Sequence, residues 1–158
     1  MKLPIQRSLI TMLLAIATPA FSAADWNDRA PDRSNFAFEN AQAAAKLKDY
    51  ARAASFLQEA IAQDPRNADY HNLYAYSIRM GRNPQMDLVF RHYNEALRLA
   101  PDHRGAHEYI GEAYLMVGNL PKAKEHLEVL NGLCRRGCDE LRDLKNAISD
   151  FEAKQSKK

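Results

Sequence analysis

The sequence is poor in the features that mark many common classes of protein. Its 158 residues include two cysteines and one tryptophan, and 22 lysines and arginines nearly balance 20 aspartates and glutamates. It has no glycine-rich phosphate loop, no nucleophile elbow and no pair of cysteine clusters at zinc spacing, so nucleotide-dependent, hydrolytic and zinc-binding classes are not indicated. We therefore expect no enzyme activity, no cofactor and no bound metal.

No apolar run is long enough to cross a bilayer, which takes roughly 20 residues. The apolar run at residues 9–17 follows two basic residues and precedes TPAFSAAD, where small residues surround a proline. This pattern is typical of a secretory signal peptide, with cleavage near residues 22–24. We predict a signal peptide over residues 1–24, no membrane span in the mature form, and a location in the bacterial periplasm or outside the cell.

The charge balance gives no support for a nucleic-acid partner. Residues 1–24 carry two of the basic residues and no acid, so the rest of the chain is electrically neutral. Nucleic-acid binding needs a clustered basic face that displaces counterions, and only the terminal KQSKK is basic here. Trp26 lies in a polar leader, residues 25–33, which we expect to be loosely ordered.

What the sequence does contain is an internal repeat. Three prolines mark it, in APDR at 30–33, DPRN at 64–67 and APDH at 100–103, and they are 34 and 36 residues apart. Between them, small and apolar residues recur every three or four positions, which is the helical period, and no alternating run indicates a strand. The pattern predicts two helices in each unit.

The third unit, AHEYIGEAYLMVGNLPKAKEHLEVL, shows the pattern most clearly. Gly111 and Ala123 are small where two helices approach closely, Tyr114 and Leu127 fill the space beside them, and Gly118 marks the turn between the helices. This pattern resembles the tetratricopeptide repeat (TPR). The first unit matches in its second half, and the second unit has two extra residues in GRNPQMD.

The resemblance implies an all-α fold, a right-handed α-solenoid of three TPR helix pairs over residues 34–133. The units cover about 34–67, 68–103 and 104–133. After them, DELRDLKNAISDFEAK has one apolar stripe and charges opposite, as expected of a capping helix that covers the last pair. Residues 134–158 thus comprise a cysteine-containing corner, the capping helix and a basic tail.

In TPR proteins the first helix of each pair lines a concave groove that takes extended or helical peptides. The resemblance therefore implies a protein or peptide partner and a scaffold or adaptor role. It also implies that eight positions are exposed in the groove. They are Phe38 and Gln42 in the first unit, Asn72, Tyr76 and Arg79 in the second, and Glu108, Glu112 and Leu115 in the third.

One specialised form of the groove is not indicated. TPR domains that hold the C-terminal carboxylate of cytosolic chaperones use lysine, asparagine and arginine at fixed groove positions. The matching residues here are Phe38, Gln42, Leu73, Gly105 and Tyr109. None of them is cationic, so we expect such chaperone tails not to bind.

The histidines are weak candidates for a metal site. His103 and His107 lie four residues apart, a spacing that can hold a metal on one helix face, but no third ligand accompanies them. We interpret His71, His92 and His126 as ordinary helix residues.

Both cysteines lie in GLCRRGCDEL, residues 132–141. Two arginines between them and a following helix start favour a reactive thiolate, so a thiol-redox or copper-handling protein using Cys134 and Cys138 is the alternative function. In an exported chain with two cysteines, an internal disulfide is the simplest pairing, and it ties the cap to the last unit. Gly137 is placed to end one helix in left-handed geometry and Asp139 to cap the next.

Overall fold

A computed structural model describes residues 33–157. These residues form seven helices and no strand, and none of the seven is long and apolar enough to cross a membrane. The helices are α1 Ser34–Lys46, α2 Tyr50–Gln63, α3 Ala68–Met80, α4 Met86–Leu99, α5 Arg104–Met116, α6 Leu120–Leu133 and α7 Asp139–Gln155. The predicted all-α fold is confirmed, while the predicted signal peptide and most of the polar leader lie outside the described residues.

The first six helices pack as three successive pairs, and α7 lies against α5 and α6. Each pair also contacts the next, through α2 with α3 and α4 with α5. Three apolar clusters fill these interfaces, centred on the fully buried Leu57, Tyr93 and Leu130. Each unit therefore buries its apolar face against its neighbour, as expected of a repeat array with a terminal cap.

Polar side chains start several of the helices. Asp49 accepts a hydrogen bond from the Arg52 N–H at the start of α2, and Asn119 accepts one from the Lys122 N–H at the start of α6. Such caps satisfy N–H groups that have no partner within the helix. Asn67 does the same for α3, so local signals in the sequence define where the helix pairs begin.

The turns within the first and third pairs use left-handed geometry at the same place in the repeat. Gly118 has a φ of 79°, as its predicted turn position requires, and Lys48 has a φ of 60°. Glycine adopts this geometry freely, whereas a residue with a Cβ is strained by roughly 1–2 kcal/mol. The first pair therefore contains local strain that the third pair lacks.

Gly111 allows the cap to approach closely. A Cβ at this position would lie 2.7 Å from both terminal methyl carbons of Leu144, a fully buried residue of α7. Real Cβ atoms do not approach other carbons this closely, so the glycine is required by the packing of α7 on α5.

A disulfide joins Cys134 to Cys138 at the corner before α7, with the Cα atoms 5.7 Å apart. Gly137, with a φ of 84°, lies within this corner. The prediction that Asp139 caps α7 is wrong, because the N-cap is Cys138, whose Sγ accepts from the Leu141 N–H at 3.4 Å. Asp139 is instead the first helical residue, where its negative charge interacts favourably with the helix dipole.

Candidate functional site

The first helices of the three pairs line a groove of about 400 Å³. The rings of Tyr76 on α3 and Tyr109 on α5 lie with their centroids 4.9 Å apart, and the Phe38 ring packs against Tyr70 at 4.8 Å. The residues that line it are Phe38, Gln42, Ala45, Lys46, Asp69, Asn72, Leu73, Tyr76 and Tyr109. We call this surface the groove; its aromatic and apolar wall with a polar rim is a combination common to binding sites.

One polar atom of the groove has no partner within the described residues. Asn72 is 9% exposed, and its Oδ1 is buried without a hydrogen bond. Buried polar groups are nearly always hydrogen-bonded, and an unmade bond costs roughly 1–3 kcal/mol. The unpartnered oxygen is therefore a local cost in the wall of the groove, and it is shielded from solvent.

Arg79 lies beneath the aromatic wall and joins three helices. Its Nη2 donates to Glu112 Oε2 at 2.7 Å, and its Nε donates to the Tyr93 hydroxyl at 3.3 Å. Its guanidinium carbon is 5.5 Å from the Tyr76 ring centroid and 5.8 Å from that of Tyr109, within cation-π range. Arg79 therefore positions the two tyrosines from below.

The expectation that all eight groove positions are exposed is wrong for several of them. Arg79 is 6% exposed because it pairs internally, and Leu115 packs in the apolar cluster between α5, α6 and α7. Asn72 and Glu108 are also buried. Phe38, Gln42 and Tyr76 are accessible or half-buried, and Glu112 is half-buried in its ion pair with Arg79. The capping helix covers the part of α5 that the repeat pattern alone leaves open.

Glu108 is an unusual buried acid on α5. It is 8% exposed and has no hydrogen bond or ion pair within residues 33–157. Burial, together with the nearby Glu112, Asp143 and Glu140, raises the pKa of Glu108 to about 8. The carboxyl group is therefore mostly protonated at neutral pH.

Two histidine pairs connect the helices within the second and third units. His71 Nε2 lies 3.0 Å from the carbonyl oxygen of Pro65, and since only an N–H can bond there, His71 Nδ1 must be an acceptor. His92 Nδ1, at 2.9 Å, donates to it. The third unit repeats this arrangement with His107, His126 and Pro101.

Burial and the facing histidine lower the pKa of His92 to about 4, and burial and its own partner lower that of His126 to about 4. Both imidazoles are neutral at pH 7 and serve the packing of their helix pairs. Their interpretation as ordinary helix residues missed these bonds. The available signal was the recurrence of histidine at two equivalent places in the second and third units.

The spacing of His103 and His107 does not produce a shared site. His103 Nδ1 accepts from the Ala106 N–H at the start of α5, and its Nε2 contacts Asp69 Oδ1 at 3.1 Å. His107 is engaged with His126 instead. The two histidines therefore have separate structural partners.

Among residues 33–157, the ligand atoms of Cys134, Cys138 and Glu140 form a cluster within 4.8 Å of one another. Both sulfur atoms are in the disulfide, and a disulfide offers no thiolate to a metal or a substrate. In this state the cluster is a covalent link between the last helix pair and α7.

Comparison with known proteins identifies the fold. No protein-family model and no curated protein matches the chain. Among solved structures, the TPR2B domain of yeast Sti1 in complex with pHsp70 is 15% identical, with a TM-score of 0.68 over 77% of this chain and 98% of that one. The first TPR domain of Spaghetti (RPAP3), bound to the HSP90 peptide SRMEEVD, is 20% identical, with a TM-score of 0.65 over 77% and 96%.

The Sgt2 TPR domain from Aspergillus fumigatus is also similar, with 20% identity and a TM-score of 0.66 over 78% of this chain and 80% of that one. Three helix pairs followed by a seventh helix, together with these neighbours, define an α-solenoid. The chain has the TPR fold, and the predicted array of helix pairs with a capping helix is confirmed.

Proposed function

We propose that this protein is a non-catalytic adaptor or scaffold that binds a peptide segment of a partner protein in the groove. The observation that carries the proposal is the groove itself, an aromatic wall of Tyr76 and Tyr109 beside the unpartnered Asn72 Oδ1. An extended peptide offers side chains for the wall and main-chain polar groups for the exposed Gln42 amide. Two structures of similar fold, those of Sti1 and Spaghetti, contain bound peptides.

We assign the protein to the bacterial periplasm or the cell exterior. The signal-peptide pattern of residues 1–24 supports this location. The Cys134–Cys138 disulfide supports it too, because disulfides persist in oxidising compartments.

The proposed partner differs from a chaperone tail. At the clamp positions this groove has Phe38, Leu73 and Tyr109 in place of cationic side chains. A C-terminal carboxylate would find no cation at these positions, and Lys46 lines the groove at another position. We expect the peptide SRMEEVD not to bind, and a micromolar complex in a calorimetric titration would contradict this expectation.

Site-directed photocrosslinking in the cells that make the protein tests the proposal. A photoreactive amino acid at Gln42, in the groove, should capture a partner, and adding Tyr76→Ala should abolish the capture. The same amino acid at Glu128, exposed on α6, is the matched control and should not capture it. Equal capture at the two positions, or none at Gln42, would refute groove binding.

Arg79→Ala is a poor test because it removes the ion-pair partner of the half-buried Glu112 and the donor to Tyr93. Loss of binding would then report a destabilised helix array.

The alternative function, thiol-redox or copper handling by Cys134 and Cys138, has a direct test. Thiol titration of the native protein should find no reactive thiol if the disulfide is structural. Two rapidly titrating thiols would support the alternative.

A further inference from the structure

An acid without a partner in the described part of the chain, Glu108, directly precedes the groove residue Tyr109 on α5. Glu108 is more than nine-tenths buried and has neither a hydrogen bond nor an ion pair within the described residues. Buried acids are almost always paired, because an isolated carboxylate loses its hydration without compensation. The ionised form of Glu108 therefore lacks a compensating partner in the described part of the free protein.

The charges around Glu108 are mostly negative. Glu112 lies one turn further along α5 and is already paired with Arg79 at 2.7 Å. Glu140 and Asp143 of α7 act on Glu108 from the other side. The surroundings of Glu108 combine several carboxyl groups with one cation whose charge is already compensated, and their complement is a positively charged group.

The local charge stays negative because Glu140 is only weakly paired. Its nearest cation is Arg104, at a distance of 3.9 Å with the arginine half exposed, which is a weak ion pair. Asp143 pairs at 3.0 Å with Arg142, an exposed neighbour on the same helix. Neither of these arginines neutralises Glu108.

Phe38, Asn72 and Glu108 form a row of equivalent positions in the three units, 34 and 36 residues apart. Phe38 and Asn72 line the groove, and Glu108, a buried acid without a partner among residues 33–157, is the equivalent residue on α5 and precedes the groove residue Tyr109. Neighbouring helices lie about 10 Å apart, and an extended chain rises about 3.3 Å per residue. About three residues of an extended peptide therefore span one step of the row.

We propose that the groove binds an extended segment of a partner protein that carries arginine or lysine about six residues, two steps of the row, from an apolar anchor on Phe38. The apolar side chain packs on Phe38 and Tyr76, the chain passes over Asn72, and the basic side chain pairs with Glu108. This inference rests on the proposed peptide-binding function and specifies the chemistry of the peptide. A cation–carboxylate hydrogen bond in a water-poor site is among the stronger polar contacts, whereas an acidic segment would be repelled.

Selection from a random dodecapeptide library displayed on phage tests this proposal on the full protein. Peptides selected by the wild type should be enriched in arginine and lysine by ~3-fold or more over the input library, at a fixed distance from an apolar residue. Glu108→Gln should abolish that enrichment. Glu128→Gln, which removes a carboxyl group from the exposed face of α6, should leave it unchanged.

A selected peptide then gives the size of the effect. Replacing its arginine with the uncharged isostere citrulline should weaken binding to the wild type ~10-fold, and binding to Glu108→Gln less than ~2-fold. Melting curves of both protein variants establish that they remain folded. Loss of enrichment in Glu128→Gln as well would show a non-specific charge effect and overturn the inference.

The outcomes separate this inference from the function on which it rests. Apolar peptides without basic enrichment, whose binding is lost in Tyr76→Ala, would overturn the basic specificity and leave the peptide-binding function intact. A library in which no peptide is enriched, or in which every selected peptide binds Tyr76→Ala unchanged, would overturn both.

Discussion

Acidification is expected to destabilise the protein through its two histidine pairs. In the folded protein the pKa values of His92 and His126 are lowered from 6.5 to about 4. Between these values the unfolded chain binds protons that the folded protein does not, so the free energy of unfolding falls as the pH falls. The loss begins near pH 6.5 and is complete near pH 4.

The size of the effect follows from the structure. A pKa lowered from 6.5 to about 4 corresponds to about 3 kcal/mol for a fully desolvated histidine. His92 and His126 are only partly buried, and solvent screening leaves roughly half of that value for each. The two pairs together should therefore remove about 3 kcal/mol, a large part of a typical domain stability.

Glu108 acts in the opposite direction. Its pKa is raised from 4.5 to about 8, so the folded protein holds an extra proton in this window and loses stability as the pH rises through it. The histidine effect is therefore measured in the Glu108→Gln background, which removes the opposing slope. Glu108→Gln alone should raise the free energy of unfolding by a few kcal/mol at pH 8, which is near the pKa of Glu108 in the folded protein. It should have little effect near pH 4, which is below the ordinary pKa of 4.5.

Urea unfolding followed by circular dichroism at pH 7 and pH 4.5 gives the required free energies. Glu108→Gln should lose stability on acidification, and the triple variant with His92→Gln and His126→Gln should lose much less. Glu108→Gln with His103→Gln, a histidine outside the pairs, is the control and should retain the loss. The same pH dependence in the triple variant would refute the role of the pairs.

Other consequences of the packing are testable by chemical and thermal unfolding. Gly111→Ala should cost about 1–3 kcal/mol because the new Cβ pushes Leu144 away. Gly132→Ala, which has open space around it, should stabilise the protein by about 0.5–1 kcal/mol. Similar effects at both sites would contradict the close approach of the cap. Lys48→Gly should raise the stability by up to about 1 kcal/mol because it relieves left-handed strain, and a decrease would contradict it. Cys138→Ser should cost about 2 kcal/mol and increase hydrogen exchange in α7, because the disulfide is lost. Cys138→Ala should cost about 1 kcal/mol more, because the N-cap of α7 is also lost. An unchanged melting temperature under oxidising conditions would exclude a stabilising disulfide.

The helix array was predictable from the sequence because its signals are local and repeated. Small residues at the close approaches, polar N-caps such as Asn67 and Asn119, and the turn at Gly118 recur with the period of the unit. The partner of Gly111 was less predictable, because its contact with Leu144 depends on how α7 docks. The sulfur cap at Cys138 is likewise set by the geometry of the corner.

The groove was only partly predictable. The repeat register placed Phe38 and Tyr76 on the correct surface, since that depends on helical period alone. The burial of Arg79, Glu108 and Leu115 depends on long-range packing. Arg79 is buried with its ion pair to Glu112, and Leu115 is buried by the capping helix. The histidine bonds join residues 21 and 19 positions apart and need two helices in register before they exist.

Peptide binding on the face lined by α1, α3 and α5 can be observed in an NMR titration of the isotopically labelled protein with a library-selected peptide. We expect the largest chemical-shift changes at the rings of Tyr76 and Tyr109 and at the side-chain amide of Asn72, with little change on α2, α4 and α6. Changes concentrated on α2, α4 and α6, or no saturable change in the groove, would contradict the account.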